Sequence, residues 1–377
     1  MFGMIVVDVG SFSAGEFTYS QRSLASMRRV WSVCLLFGVM CLLLGCPAKK
    51  PKKAVIVKKS QPKKPRYRPP FVRLPPKVAL RENEVYIPGG SFFMGPKKAS
   101  TVSPDQHQAV SPHHLVTLTR MFAMWKHEVT QGEFEELMRY NPSHFRNCGK
   151  NCPVENARWH EAAAFCNKLS RKHGLASCYL CEGSERNVSC RVLPYFRGQR
   201  YYQCSGYRLP TEAEWEHAAR GGGDEPFYTP AISKWVDHST FARIAWYADS
   251  SLVRYKGGVQ CPERISQRSV WERHQKEEER RCGVHPVEGK EPNVYGLYDM
   301  LGNVFEWVYD GYTHLDKLSA KDPIKGHEHV NRVMRGCAWL SSVTYCSVYR
   351  RFWAPRSTAN YLLGFRPVRT LWKAKSQ

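Results

Sequence analysis

The first sustained pattern along the chain is an apolar run from Val30 to Leu44, in which Ser32 is the one polar interruption, and nothing like it recurs downstream. From Val85 to Gly95 the chain reads Val85-Tyr86-Ile87-Pro88-Gly89-Gly90-Ser91-Phe92-Phe93-Met94-Gly95. These are two short apolar runs of β type, broken by a Pro-Gly-Gly turn. His114 to Thr119 alternates apolar and hydroxyl residues, which predicts another strand. A hairpin-rich start is the simplest arrangement of these pieces.

Helical signals follow. Thr130-Gln131-Gly132-Glu133 and Thr211-Glu212-Ala213-Glu214 both fit the capping box, in which a threonine hydroxyl and a glutamate three residues on satisfy orphan N–H groups. The second of these helices is predicted to run to Arg220 and stop at Gly221-Gly222-Gly223. Between them, Ala162, Phe165, Cys166 and Leu169 recur at helical spacing from Trp159, with Gly174 as a stop and no clean N-cap. The remainder is rich in Gly, Pro, Trp and Tyr without sustained period, which predicts an irregular α+β domain with few long elements. Two stretches read as insertions, Cys178 to Cys204 and Gln260 to Cys282; in the second, Trp271 to Arg281 is a charged, surface-helix pattern.

Charge changes the picture at the N-terminus. Arg28 and Arg29 precede the apolar run, and Leu43-Leu44-Gly45-Cys46 closes it. This order resembles a bacterial lipoprotein signal over residues 27–46, with Cys46 the lipidated residue. A signal without lipid and a membrane anchor are the other readings, but the run is short of the roughly 20 apolar residues a span needs. Residues 1–26 carry no pattern of their own and are expected to be an extension upstream of a true start at Met27. Pro47 to Leu80 holds twelve Lys or Arg, eight Pro and no acid. Proline blocks regular hydrogen-bond ladders and like charges repel, so residues 47–80 are an extended tether. The tether is either attracted to anionic envelope polymers and headgroups or is a solvated spacer. With 41 basic and 31 acidic residues left beyond Leu80, the folded domain carries about ten of the 23 net positive charges. No nucleic-acid motif accompanies them.

Fourteen cysteines suit an exported, disulfide-forming chain better than a reducing cytosol. Setting aside Cys34, Cys41 and Cys46 leaves eleven, an odd number, so at least one thiol is expected to be free.

Several segments resemble successive signatures of the sulfatase-modifying-factor family, the formylglycine-generating enzymes. They are Ile87 to Gly95, Glu128-Val129-Thr130-Gln131-Gly132-Glu133-Phe134, Cys152-Pro153-Val154-Glu155, Tyr207 to Glu216, Asn293 to Trp307 and Gly364-Phe365-Arg366. They occur in the family's order across nearly all of residues 81–370. The resemblance implies one domain over 81–377, with an irregular fold related to C-type lectins and low in regular secondary structure.

In the family's active members, two C-terminal cysteines about five positions apart bind copper and oxidise a sulfatase cysteine to formylglycine; soft thiolates select Cu(I). Here the preceding turn is Arg335-Gly336-Cys337-Ala338-Trp339, with a cysteine in place of the second glycine. The first copper position falls near Ser341, and the second near Cys346 or Val348. Cys337 and Cys346 are therefore either a rearranged catalytic pair or, as an oxidising compartment favours, disulfide or structural cysteines. No histidine spacing matches the iron-dependent branch of the family. The resemblance also implies a structural calcium at Asp299, Gly302, Val304 and Glu306, where two carboxylates and two carbonyls close around a hard cation. The family's other calcium site lacks its asparagine, because Trp246 and Tyr247 stand there.

Among the other cysteines, Cys148 and Cys152 form a local disulfide in the preferred reading. Cys178, Cys181, Cys190 and Cys204 make two more, Cys261 pairs with Cys282, and Cys166 is the candidate free thiol. The expected role is binding or scaffolding, with an envelope protein or glycan as ligand and the membrane reached through the Cys46 lipid. The expected location is the periplasmic or surface side of an outer membrane. A copper-dependent oxidase is the rival.

Overall fold

The computed structural model describes residues 79–97, 112–228, 238–261, 280–313 and 320–371. All of them fall within one unit spanning residues 66–377. Residues 1–26, the 27–46 signal with Cys46, nearly all of the tether, and 271–279 of the charged segment lie outside the described residues. No described helix is long and apolar enough to cross a membrane.

Fourteen short strands and four helices carry the described fold. Strands β1 (Glu84–Ile87), β4 (Phe122–Trp125) and β14 (Val368–Thr370) form one sheet, in the order β1-β4-β14. Strands β2 (Gly90–Met94), β3 (His114–Leu118) and β10 (Ala320–Lys321) form a second, in the order β10-β3-β2. The expected hairpin between the two apolar runs at the start of the domain is therefore corrected: β1 pairs with β4 and β2 with β3. Pro88-Gly89 carries the chain from one sheet to the other. A Cβ on Gly89 would sit 2.8 Å from the Leu118 carbonyl oxygen, so the crossing needs glycine.

A third sheet runs β12-β11-β9-β13, from β9 (Phe305–Gly311), β11 (Asn331–Arg335), β12 (Phe352–Pro355) and β13 (Leu363–Gly364). Its β9 and β11 shift register between Arg332 and Met334. Two separate pairs complete the set, β5 (Tyr179–Glu182) with β6 (Ser189–Val192), and β7 (Val259–Gln260) with β8 (Arg281–Cys282). Arg281, the last residue of the predicted charged helix, is thus a strand residue.

Helix α1 (Gln131–Met138) starts at the Thr130 capping box, where Glu133 Oε2 accepts from the Thr130 N–H at 2.8 Å. Helix α2 (Trp159–Lys172) has a carboxylate where no cap was legible: Glu161 Oε2 accepts from the Arg158 N–H at 3.0 Å. Helix α3 (Glu212–Arg220) starts at Thr211 and ends at Gly221, whose φ of 60° is the left-handed cap. Helix α4 (His238–Ile244) is short. The core gathers around these helices, with Trp159, Trp215, Trp307 and Trp339 all fully buried. Truncating any one of these indoles would cost about 3–5 kcal/mol.

Between the sheets lie buried ion pairs that an apolar core rarely holds. Arg208 meets Glu214 through both terminal nitrogens at 2.7 and 2.8 Å, and Arg351 meets Glu212 at 2.5 and 2.9 Å. Arg335 reaches Glu216 at 2.5 Å, and Arg220 reaches the same carboxylate at 2.7 Å. The α3 glutamates thus hold arginines from three other segments. Removing one partner of such a pair strands a buried charge, a loss of about 3–5 kcal/mol.

Candidate functional site

The copper position implied by the family lies in the turn after β11. Arg335 fixes the start of that turn: beyond its carboxylate bonds, its guanidinium donates to the carbonyls of Val348 at 2.7 Å and Arg350 at 2.9 Å. Gly336 follows at φ 78°, and the chain then folds so that Cys337 and Cys346 are joined in a disulfide. Both cysteines are fully buried and pack in the main core. Ser341 is half-buried, and its hydroxyl accepts from the Ala338 N–H at 3.1 Å. Trp339 donates from Nε1 to the Tyr361 carbonyl at 3.2 Å, and Tyr345 and Tyr361 are exposed around the turn.

Sulfurs bonded to each other present no thiolate, the soft donor that selects Cu(I). Among the described residues the one unpaired cysteine, Cys166 on α2, is fully buried, and burial pushes its thiol far above the usual range. The oxidised turn is thus a crosslinked core element with an aromatic rim. In this state it offers a metal no thiolate from Cys337 or Cys346.

The proposed calcium residues sit where α3, β9 and the C-terminal segment converge. Glu306 accepts from Arg366 Nε at 2.9 Å on both oxygens and from Arg366 Nη2 at 2.6 Å, while Trp215 Nε1 donates to Oε2 at 2.8 Å. Asp299 accepts from the Glu288 N–H at 2.8 Å through Oδ2, and its buried Oδ1 has no hydrogen-bond partner. Burial pushes the Asp299 carboxyl up to about 6. Gly302, at φ 89°, packs so close to Trp246 that a Cβ would lie 2.3 Å from the Trp246 carbonyl oxygen. The Val304 N–H donates to Glu128 Oε1 at 3.1 Å, and Asn303 Nδ2 donates to Oε2 at 2.9 Å.

Glu128 was missed in the sequence as a member of this cluster. It is fully buried, and burial first, then Asp299 and Glu306, hold its carboxyl well above the usual range. The only signal available was that Glu128 opens one family segment and Arg366 closes another. As arranged, the four residues do not fit a calcium ring: Glu306 is closed by Arg366 and Trp215, and Asp299 alone offers a free carboxylate oxygen. Among the described residues no group of three or more His, Cys, Asp or Glu side chains is placed to hold a metal ion. At the family's other calcium position, the Trp246 ring stacks on His285 at 3.7 Å and Lys290 Nζ lies 3.5 Å from its centroid.

The insertions are crosslinked. Cys178 pairs with Cys204 and Cys181 with Cys190, the latter directly opposite each other across β5 and β6. Cys261 pairs with Cys282, and Cys148 with Cys152. An open cavity of about 890 Å³ lies apart from the crosslinked turn, at the start of α1. Several of its charges are engaged: His127 Nε2 is 3.7 Å from Glu288, which Lys126 holds at 3.0 Å, and Glu133 caps α1.

Residues 73–371 match the family described as Sulfatase-modifying factor enzyme 1-like domain. The chain is 30% identical over 281 residues to Chaperone protein LppX of Paenibacillus barcinonensis, spanning 72% of this chain and 83% of that one. It is 26% identical over 326 residues to the Formylglycine-generating enzyme of Mycobacterium tuberculosis, spanning 75% and 96%. In three dimensions it is similar to Treponema denticola variable protein 1, with a TM-score of 0.56 and 27% identity over 76% of this chain and 94% of that one. The match over residues 73–371, which takes in every described segment, shows that this chain belongs to the sulfatase-modifying factor enzyme 1-like domain family.

Proposed function

We propose that this protein is an exported, envelope-held member of the family that binds or chaperones another envelope molecule and does not oxidise cysteine. The observation that carries the reading is the buried Cys337–Cys346 disulfide, with Ser341 five positions before Cys346. A copper oxidase needs two thiolates there, and this chain supplies one cysteine that is already bonded to a neighbour the family pattern lacks. The name of the LppX relative, a chaperone, supports the same direction. The ligand is a protein or glycan, met by loops on the rigid crosslinked scaffold. Cys46 is the lipid attachment site in this reading, and the Lys/Pro-rich segment after it holds the domain off the membrane.

The test is to incubate the purified protein with Cu(I), oxygen and a Cys-x-Pro-x-Arg peptide, and to read the peptide mass. No formylglycine is expected, with or without mild reductant. Turnover that disappears in Cys346→Ser would establish the oxidase reading instead.

A further inference from the structure

Where the inserted β5–β6 hairpin meets the β9–β11–β12 sheet, a cavity of about 170 Å³ is lined by Arg191, Arg197, Arg332 and Arg356, together with Tyr309 and His327. Glu328 is the one acid on its lining; its carboxylate is 78% exposed and lies 3.8 Å from His327 Nε2. Arg332 is only 3% exposed, yet it has no carboxylate partner among the described residues. Its Nη1 and Nη2 donate to the carbonyls of Tyr309 at 2.6 Å and His327 at 2.9 Å, and its buried Nε has no partner. The guanidinium lies 4.5 Å from the Trp159 ring centroid, which fixes its plane. Tyr309 is 1% exposed, and its hydroxyl is also buried without a partner.

Four buried arginines, Arg208, Arg335, Arg351 and Arg366, each meet a glutamate, whereas Arg332, like Arg350, is buried with backbone carbonyls as its side-chain acceptors. Around Arg332 the positive charge accumulates instead: Arg197 and Arg356 line the same cavity, and of its lining arginines only Arg191, at the surface, is held by a carboxylate among the described residues, Glu182 at 3.2 Å. Burial and the neighbouring Arg356 lower the Arg332 pKa, and burial, then Arg356, hold the His160 imidazole down to about 4. An uncompensated buried guanidinium is costly, and unmatched buried donors are rare in native proteins. The site is rich in donors, with one exposed acid on its lining and room for several times the roughly 30 Å³ of a liquid water.

We propose that this cavity binds a tetrahedral oxyanion, phosphate or sulfate, either free or as a monoester. Such a group has enough acceptor oxygens for forked guanidinium contacts and a tyrosine hydroxyl together, which a single carboxylate does not. The pocket is separate from the crosslinked turn, and two of its arginines, Arg191 and Arg197, belong to the disulfide-stapled insertion. The proposal therefore stands whether or not the turn at Cys337 binds or reacts with anything.

The experiment is calorimetric titration and thermal melting of the full-length chain with inorganic phosphate, sulfate and glucose 6-phosphate, against sodium chloride at matched ionic strength. Phosphate and sulfate are expected to raise Tm and bind with a measurable heat where chloride does neither, since a ligand of the native state stabilises it. Arg356→Gln, a half-buried residue, should keep the circular dichroism spectrum and lose at least tenfold in phosphate affinity. Tyr309→Phe should melt at the same or a higher temperature in chloride, because the hydroxyl it removes has no partner, and should lose much of the phosphate-induced shift. Binding of glucose 6-phosphate as tight as free phosphate identifies a monoester ligand, and its exclusion confines the site to the free ion. Phosphate and sulfate responses no larger than chloride, or an Arg356→Gln variant that titrates like the parent, would overturn the proposal.

Discussion

Glu155 shows how far burial moves a single group in this domain. It is fully buried at the entry to α2, and its Oε1 accepts from the Phe145 N–H at 2.8 Å. Burial pushes the carboxyl up to about 7, while the N–H groups of Phe145 and His144 pull the other way. The folded value lies above the unfolded one, so folding holds a proton that the unfolded chain releases, and stability falls as pH rises from about 4.5 to about 7. Glu155→Gln removes that dependence while keeping an acceptor for Phe145. The variant should therefore gain on the parent across this window, by about 2–3 kcal/mol at pH 8 relative to pH 4.5. Urea midpoints of both proteins at the two pH values measure it; a gap that does not widen with pH shows that Glu155 ionises normally. The same scale explains what the sequence concealed at Glu306. Its guanidinium partner, Arg366, is 60 residues away, and a local reading of Asp299 to Glu306 sees only a carboxylate pair that resembles a cation ring.

At the scale of elements, the legible features were those whose partners are close in sequence. The capping boxes at Thr130 and Thr211 and the left-handed stop at Gly221 join residues three to ten apart, and α1 and α3 begin where those motifs place them. Strand pairing was not legible in the same way. The β1 and β2 runs look like a hairpin across Pro88-Gly89, but only the distant β4 and β3 decide that they enter different sheets. The Cys337–Cys346 crosslink lies between these cases, since its two ends are nine residues apart. Closing so short a loop restricts the unfolded chain modestly, by about 2–3 kcal/mol on chain-entropy grounds. The double variant Cys337→Ala, Cys346→Ala should lose that much stability in oxidising buffer and should keep its secondary structure. A variant as stable as the parent would mean that the two sulfurs are unbonded in solution, which reopens thiolate chemistry at the turn.

Across the whole molecule, short strands and long irregular connections leave few backbone ladders to hold the fold, and two other devices take their place. One is the set of buried arginine–glutamate pairs radiating from α3 and from Glu306, which fix segments far apart in the chain. The other is the crosslinks, and here the odd cysteine count carries through: from Cys148 onward there are eleven cysteines, five disulfides and the single buried thiol of Cys166. Cys166 lies on the apolar face of α2, and burial disfavours its reactive thiolate. The native protein should accordingly resist iodoacetamide at every cysteine beyond Cys46. Denatured without reductant, it should take one label in that region, in the peptide containing Cys166; with reductant, all eleven should react. Mass spectrometry of the three samples reads this directly. Three labels in the denatured, unreduced sample would show that one of the five crosslinks is absent, and the two additional labelled peptides would say which part of the scaffold stands without it.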